Sequence, residues 1–535
     1  MKEALIPTAQ EMAALDAFFM DQSGIRSLEL MDRVGREIAR RLDTYGIFTQ
    51  LPPEFGRRTV VLVGPGNNGG DGLVLARCLR EAHRVPVAVI LTQSSGLSSD
   101  CQKMLSAYLS IGGECYVLDD NTNGNIRRIG RHRDYIASER PLRALFSRAA
   151  VIVDALLGTG QSGAPRGNIK NILGFVKDYR AQTPEQKTLY LSIDVPTGIS
   201  GDSGEVFESA FKADITLTVQ HLKLGMTQGS APLHCGEILL IDGGIKVPEW
   251  RSQFVTVDSD VCNALPPRTG ASHKGTFGHV LIIGGCEAMP GAGILASQGA
   301  FATGAGKVSQ LRYSSTMGIP PEVMQIPVSS EFFTPSVLST LISRIEAGEF
   351  ESVVIGPGLG TSDQTSDAVM SLLTTLHDRQ IPCVLDADGL NIISAARAAQ
   401  SNHLLRGMVL TPHLKEAARL LNVSTEAVQR DRVGSVQRLH DAFGATILLK
   451  GGGSLVWNGV EGRVNTVSAP FLATAGSGDV LSGVIGGLLA QRLSLLDAAS
   501  FGMLLHGLAA KELGERPFGS SELAGEISRV LARMI

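Results

Sequence analysis

Residues 473–483 read Ala-Thr-Ala-Gly-Ser-Gly-Asp-Val-Leu-Ser-Gly. Small residues give way to an apolar run (Val480, Leu481, Val484, Ile485, Leu488, Leu489), and this spacing predicts a helix that opens within the segment. A helix start offers unpaired backbone N–H groups and the positive end of the macrodipole, both suited to an anion. Gly476 and Gly478 carry no Cβ to hold a phosphate away from the backbone. Asp479 is the one carboxylate in the stretch. It can serve as base for a hydroxyl about to accept a phosphoryl group, while the amides stabilise the developing charge. The competing local reading is a glycine-rich turn with Asp479 as a first-turn acid.

A second group lies in the first half. Gly64-Pro65-Gly66-Asn67-Asn68-Gly69-Gly70-Asp71-Gly72 follows a short β-rich run. Its Gly64-x-Gly66-x-x-Gly69 matches the dinucleotide fingerprint formally, but the position of the ribose-binding acid, about 20 residues on, falls in Val89–Gln93, which has no carboxylate. An ordinary hydride-transfer site is therefore rejected. Asn67, Asn68 and Asp71 suggest side-chain oxygens for a cation and amides for a diphosphate, against the alternative of a polar turn held by its own asparagines. Asp154-Ala155-Leu156-Leu157-Gly158-Thr159-Gly160 and Asp194-Val195-Pro196-Thr197-Gly198 each place an Asp at the carboxyl end of a predicted strand, where open α/β sheets bind ligands. Leu222-Lys223-Leu224-Gly225 adds a lysine. In the second half, apolar runs likewise deliver Gly356–Gly360, Asp386–Gly389, Thr411-Pro412-His413 and Lys450–Ser454. Alone, His413 reads as a capping histidine and Lys450 as a solvated strand end; beside Gly478 and Asp479 they become nucleotide and substrate contacts.

The elements that must position these groups can be read from pattern. At 535 residues the chain exceeds one ordinary core, so two domains are expected. With 44% hydrophobic residues and 61 glycines it reads as globular and turn-rich. A net charge of −4 gives no electrostatic case for nucleic acid or a membrane surface. No secretory h-region or bilayer-length apolar run is visible, and seven scattered cysteines without a Cys-x-x-Cys pair read as reduced thiols of a cytoplasmic protein. Thr8–Glu11 fits a capping box opening a helix to about Met20, and a second helix is expected over Leu28–Leu42. Strands are expected at Thr59–Val63, Val85–Leu91, Ala150–Asp154, Leu189–Asp194, Asp214–Val219 and Glu237–Ile241, with the Gly64–Gly72 loop leading into a helix to about His83. Interleaved helices make a parallel sheet covered on both faces the expected α/β architecture. Turn residues and weak periodicity between Gly243 and Arg268 mark a boundary, giving domains 1–245 and 269–535 with a linker at 246–268. A Gly/Ala-rich helix is expected at Gly291–Ala305, and the basic stretch Ile126–Arg133 reads as a solvated surface loop.

Taken together, the Gly64–Gly72, Asp154–Gly160, Asp194–Gly198 and Lys223 segments resemble the NAD(P)H-hydrate epimerase domain over roughly the first 240 residues. From about Ser272 onward, Thr411–His413, Lys450–Gly452 and Gly476–Asp479 resemble the ADP- or ATP-dependent NAD(P)H-hydrate dehydratase branch of the ribokinase-like kinases. The resemblance implies a Rossmann-like three-layer sandwich followed by a ribokinase-like one. In the first, it implies K⁺ on Asn68, Asp154 and Thr197, with Thr197 standing where serine is usual. Hydrated nucleotide would lie on Asn67, Asn68, Gly69, Gly70 and Asp71, on Gly158, Thr159, Gly160, Gln161, Ser162, Gly163 and Ala164, and on Asp194. Asp194 is then the expected proton-handling group, with Lys223 second. In the second domain it implies ADP or ATP, with Mg²⁺, on Lys450, Gly451, Gly452, Gly453, Ser454 and Gly478. Hydrated NADH or NADPH would contact Ala292, Gly358, Gly360, His413 and the catalytic Asp479. Two local departures are Leu414-Lys415-Glu416, where Pro-Gly-Glu is common, and a Cys286–Gly293 loop without the usual tyrosine.

The resemblance thus implies a two-step repair enzyme, homo-oligomeric, acting on small molecules and not on nucleic acid or membranes. The alternative is a ribokinase-like small-molecule kinase with a non-catalytic N-terminal binding module, which would release a stable phosphate ester.

Overall fold

The computed structural model describes residues 4–47, 58–83, 85–118, 125–129, 135–161, 163–247, 249–396 and 404–535. Two compact units divide the chain, one spanning Leu5–Ser252 and the other Gln253–Ile535 together with Ala4. Each is built on its own sheet.

The first sheet contains β1 (Thr59–Val63), β2 (Val87–Leu91), β3 (Glu114–Leu118), β4 (Asn125–Ile129), β5 (Tyr135–Pro141), β6 (Val151–Ala155), β7 (Leu189–Ile193), β8 (Ile215–Val219) and β9 (Glu237–Ile241). Their spatial order is β5-β4-β3-β2-β1-β6-β7-β8-β9. All pairings are parallel except β3–β4 and β4–β5. Successive residues of a strand face opposite sides, and the core divides accordingly. Val61 and Val63 join one cluster with the helices Ser27–Thr44, Asn67–Glu81 and Ser99–Ser110; Val60 and Leu62 join another with Leu142–Phe146 and Gly167–Gln182. The chain runs outward from β1 through β3 and returns to β6 on the other flank of β1. The resulting switch point opens a crevice at the carboxyl ends of β1 and β6.

The second sheet contains β10 (Phe254–Thr256), β11 (His279–Ile283), β12 (Lys307–Arg312), β13 (Met324–Pro327), β14 (Ser352–Ile355), β15 (Cys383–Leu385), β16 (Met408–Leu410), β17 (Thr446–Leu449), β18 (Leu455–Trp457) and β19 (Gly462–Val464). Their order is β10-β19-β18-β17-β16-β15-β14-β11-β12-β13, with β17–β18 and β18–β19 antiparallel and the rest parallel. Val280, Ile282 and Val354 face a core shared with helices Pro290–Ala302, Ser477–Ala490, Leu495–Glu512 and Ser520–Ala532. Leu281, Ile283, Val353 and Ile355 are buried on the other face. There Arg432–Phe443 packs on β17, with Val436 and Leu439 buried. Again the chain leaves β11 outward and returns at β14, so the switch point lies between the loops after these two strands.

Most expected elements are present, including the Thr8–Glu11 capping box, in which the Thr8 hydroxyl accepts from Glu11 N–H at 3.1 Å and the Glu11 carboxylate accepts from Thr8 N–H at 2.8 Å. Three differ. The helix after β1 begins at Asn67, so Asn67–Gly72 form its first turns and not a loop. The basic stretch is not a surface loop where it is described: Asn125–Ile129 is a strand paired on both edges. Ile126 and Ile129, three residues apart, face opposite sides of the sheet and join its two cores, so with Arg127 and Arg128 between them no apolar alternation betrays the strand. The remainder of that stretch, Gly130–Arg133, lies outside the described residues. Inside 246–268, Phe254–Thr256 is the edge strand β10, too short to show periodicity. Its Thr256 N–H donates to Ala4 O at 2.9 Å.

Candidate functional site

In the first unit, the ends of β1, β6, β7 and β8 surround a cavity of about 510 Å³. Asn67, Asn68, Asp71, Gly158, Thr159, Gly160, Gln161, Asp194 and Lys223 line it. Asp194 has φ +68°, a left-handed conformation that costs a non-glycine residue energy and concentrates at functional positions. Its backbone is held by Leu217 O, which accepts from Asp194 N–H at 2.9 Å. Its carboxylate accepts from Thr159 N–H at 3.0 Å and pairs with the Lys223 ammonium at 2.5 Å. Lys223 is buried and also donates to Thr218 Oγ1 and to the carbonyl of Val219. Gly158 is required here: a Cβ on it would sit 2.9 Å from Asp194 Oδ2 and 3.3 Å from Asn68 Cγ.

Behind this wall the three residues expected to hold K⁺ come together. Asp154 is fully buried and accepts four hydrogen bonds, from Thr197 N–H (2.7 Å), Thr197 Oγ1 (2.7 Å), Leu156 N–H (3.1 Å) and Ser192 Oγ (3.2 Å). Burial nevertheless pushes its carboxyl up to about 6, against those bonds. Asn68 donates to the carbonyls of Leu157 and Ile193, while its own Oδ1 is buried with no hydrogen-bond partner among the described residues. Thr197 Oγ1 accepts from Leu157 N–H at 3.0 Å, so Leu157 ties Asn68 to Thr197. An orphaned amide oxygen beside a carboxylate and a hydroxyl is an oxygen donor set that suits an alkali cation.

Not every expected contact lines the cavity. Gly69 packs against Gly64 O and Gly70 against the Met31 sulfur, where a Cβ would clash. Gly163 and Ala164 are exposed further along the loop, and Ser162 lies outside the described residues. Conversely, Asp16 lines the cavity from the helix Ala9–Ser23 without any sequence signal, since an acid on an amphipathic helix is ordinary.

In the second unit, the helix Ser477–Ala490 starts from Gly476 at φ +86°. A side chain there would be strained and would also run into Leu295 at 2.4 Å. Asp479 lies in the first turn. Burial pushes its carboxyl up to about 7, helped by Asp386 and opposed by Lys450. Lys450, at the end of β17, donates to Asp386 Oδ1 at 2.6 Å, and a Cβ on Gly478 would stand 3.3 Å from its Nζ. Burial alone would lower the Lys450 ammonium, but Asp386 and Glu416 outweigh it and hold it above its usual range. Ala387 at φ +47° turns the Asp386–Asp388 segment, and Asp388 Oδ2 accepts from Gly360 N–H at 2.8 Å. Ala292 and Gly358 are neighbours, since a Cβ on Gly358 would come 2.8 Å from that of Ala292.

His413 caps the helix Leu414–Leu421, its Nδ1 accepting from Lys415 and Glu416 N–H at 3.1 and 3.2 Å. That leaves Nε2 as the protonated nitrogen, on a ring half exposed to solvent. Glu416 closes the capping box and is itself buried, which raises its carboxyl to about 7. Gly451 and Ser454 fold their loop through Gly451 N–H to Ser454 Oγ at 3.2 Å and Ser454 Oγ to Gly451 O at 2.9 Å, while Gly451 and Gly452 stay exposed. Beneath it, fully buried Arg432 donates to Gly453 O at 3.3 Å. His506 holds Ser477 O at 3.0 Å through Nε2 and so props the helix start. Asp386, Asp388, Glu416, Arg432 and His506 carry no role in the sequence reading. The two aspartates at a strand end were the only available signal.

Two family descriptions match the chain: YjeF-related protein N-terminus over residues 27–225 and NAD(P)H-hydrate dehydratase over 280–533. The chain is 34% identical over 521 residues to a bifunctional NAD(P)H-hydrate repair enzyme of Coxiella burnetii, covering 94% of each chain. The chain belongs to the bifunctional NAD(P)H-hydrate repair enzyme family. Other members of the family are 32% identical in Salinibacter ruber, covering 99% of this chain and 97% of the relative, and 31% identical in Escherichia coli, covering 96% and 91%. The family's two matched segments each contain one of the two sites, but Asp16 precedes the first.

Proposed function

We propose that this chain repairs hydrated nicotinamide nucleotides in two steps: the first unit interconverts the R and S hydrates of NADH and NADPH, and the second dehydrates the S form at the expense of ADP, giving AMP and phosphate. The observation that carries the second step is Asp479, a carboxyl near neutrality at a helix N-terminus, beside Lys450 and the bare backbone of Gly478. Asp479 takes the proton of the ring hydroxyl as that oxygen accepts the phosphoryl group of ADP. Hydroxide leaves poorly, whereas phosphate leaves readily, and its elimination restores the dihydronicotinamide. The amides of Gly478 and Asp479 and the Lys450 ammonium stabilise the charge on the transferring group. His413 Nε2–H and the Ala292–Gly358–Gly360 wall position the hydrate, and the Lys450–Ser454 loop receives the nucleotide.

Mg²⁺ would neutralise the phosphates it accompanies. Among the described residues no three His, Cys, Asp or Glu side chains come together as a ligand group. In the first unit, K⁺ on Asn68, Asp154 and Thr197 would supply positive charge behind the nucleotide loop, and the orphaned Asn68 Oδ1 supports this assignment. Asp194 is the proton-handling group there, with Lys223 holding its orientation. No helix among the described residues is long and apolar enough to cross a membrane. A cytoplasmic homo-oligomer acting on small molecules completes the proposal; light scattering tests the assembly.

The test supplies R- and S-hydrated NADH with Mg²⁺, K⁺ and ADP, ATP or neither, and follows dihydronicotinamide absorbance. Nucleotide-dependent recovery of the whole pool supports both steps. Recovery that stops at the S fraction removes the first, and a stable phosphorylated product in place of free phosphate establishes a kinase.

A further inference from the structure

The cavity of the first unit holds more acid than Asp194 alone supplies. Asp16, Asp71 and Asp194 all line it, and Lys223 is the one lysine among them. They come from separate elements: Asp194 and Lys223 from the loops after β7 and β8, Asp71 from the helix after β1, and Asp16 from the helix Ala9–Ser23. That first helix is built to stay in place. Its capping box fixes one end, Ala9 N–H donates to Asp202, and Leu224 N–H, next to Lys223, donates to Pro7 O at 3.0 Å. Met12, Leu15 and Phe19 anchor it on Ile245. Met12, Asp16 and Met20, spaced four apart, share the face that lines the cavity. Lys223 is committed to Asp194, whereas the Asp16 carboxylate makes no hydrogen bond or ion pair with any described residue. A carboxyl fixed in position, facing a ligand cavity and left without a partner is placed for a ligand.

We propose that Asp16 is a second catalytic residue of the epimerase site, exchanging a proton with the ring hydroxyl while Asp194 serves the water on the other face of the ring. This rests on the epimerase assignment of the first unit. Inverting a hydroxyl-bearing carbon beside a ring nitrogen needs both an acid and a base. The Asp16 carboxyl gives its proton to the hydroxyl as the carbon–oxygen bond breaks; the nitrogen lone pair forms the carbon–nitrogen double bond, and water leaves. Water then adds to the opposite face, the double-bond electrons return to nitrogen, and the Asp194 carboxylate takes the proton released. Transfer of that proton through solvent back to Asp16 resets the site, and the reverse reaction exchanges the roles.

The electrostatics suit an acid. Burial pushes the Asp16 carboxyl up to about 6, with Asp194 adding to the rise and Lys223 opposing it. Asp71 is raised well above the ordinary value by burial first and then by Asp194 and Asp16. Asp194, by contrast, keeps the Lys223 ammonium as its counter-charge at 2.5 Å.

The experiment uses the full-length chain and R-hydrated NADH without nucleotide, following R-to-S equilibration by chromatography. Wild type must equilibrate the pool above the protein-free rate; if it does not, the epimerase assignment itself falls, whatever Asp16 does. Asp16→Asn is expected to lower kcat about 100-fold or more with KM little changed, to abolish the decline of the wild-type rate above about pH 6, and to leave dehydration of S-hydrate unaffected. Asp16→Glu is expected to recover part of kcat. Equilibration by Asp16→Asn within about threefold of wild type overturns the proposal, and so does a change confined to KM. Should Asp16→Asn lose its melting transition, Asp16→Glu decides: a displaced pH decline supports the role, and an unchanged profile overturns it.

Discussion

Asp479→Asn removes one proton acceptor and little else. The amide keeps the size of the carboxylate, and the helix start, held by Gly476 and by the His506 bond to Ser477 O, does not depend on it. Loss of a general base typically lowers a rate by about 10²–10⁴-fold, or about 2.7–5.4 kcal/mol in the barrier. The neighbouring carboxylates are poor substitutes, because Asp386 is bound to Lys450 and Asp388 to Gly360 N–H and Asn391. A fall of about 10³-fold or more in kcat is therefore expected. The assay follows S-hydrate dehydration with ADP and Mg²⁺ between about pH 5.5 and 9, a span that brackets the titration of a base. A base must be ionised to act, so the wild-type rate should rise with pH and level off above about 7, where Asp479 has lost its proton. The same shift bears on stability with opposite sign. The folded protein holds this proton more tightly than the unfolded chain, so between the ordinary value of 3.8 and about 7 wild type loses stability as pH rises. The Asn variant lacks this loss, and its advantage in melting temperature should grow over that window and then stay constant. A variant retaining more than a tenth of wild-type kcat, or a wild-type rate flat across neutrality, would refute the assignment of Asp479 as base.

Three further outcomes are expected. Lys450→Met leaves the nearly inaccessible Asp386 carboxylate unpaired, which should destabilise the protein by about 3–5 kcal/mol and abolish nucleotide-dependent turnover; calorimetry should show Asp386→Asn restoring part of the stability in the double variant but none of the turnover. Gly158→Ala puts a Cβ 2.9 Å from Asp194 Oδ2 and should suppress R-to-S equilibration while S-hydrate dehydration continues, measured on the two hydrates separately. Replacing K⁺ by tetramethylammonium, whose methyl groups keep oxygen ligands from its charge, should slow equilibration in wild type and have no further effect in an Asn68→Ala variant, which lacks the unpaired Oδ1.

Much of this is legible in the sequence. Strand-end aspartates and glycine loops locate ligand crevices because a parallel sheet exposes its loops there, and both sites lie at such ends. Asp479 stands out because glycine, serine and one acid ahead of an apolar helix have few other uses. What escapes is the work of residues whose types are unremarkable where they stand. Asp16 sits on a helix that would carry acids anyway, and only its placement over the cavity distinguishes it. Glu416 looks like the third residue of a capping box, which it is, and its burial is a tertiary fact. Arg432 follows a helix-capping aspartate in an exposed-looking sequence, yet it is buried beneath the Lys450–Ser454 loop. The strand β4 is hidden because it buries one isoleucine on each face of the sheet around two arginines, and β10 because three residues are too few to show a period.

The positive φ of Asp194 also limits what may replace it. Asparagine tolerates that backbone and glycine prefers it, whereas alanine, glutamate and β-branched residues would have to shift the turn after β7. A loss of activity in Asp194→Ala would thus confuse a missing carboxylate with a displaced main chain. Asp194→Asn isolates the charge, and Asp194→Gly isolates the side chain. For the same reason, drift at this position is channelled: the shortest viable steps away from Asp194 lead to residues that keep the turn and discard the chemistry. Copies of this domain that have given up catalysis should be recognisable by Asn or Gly there on an otherwise unaltered scaffold.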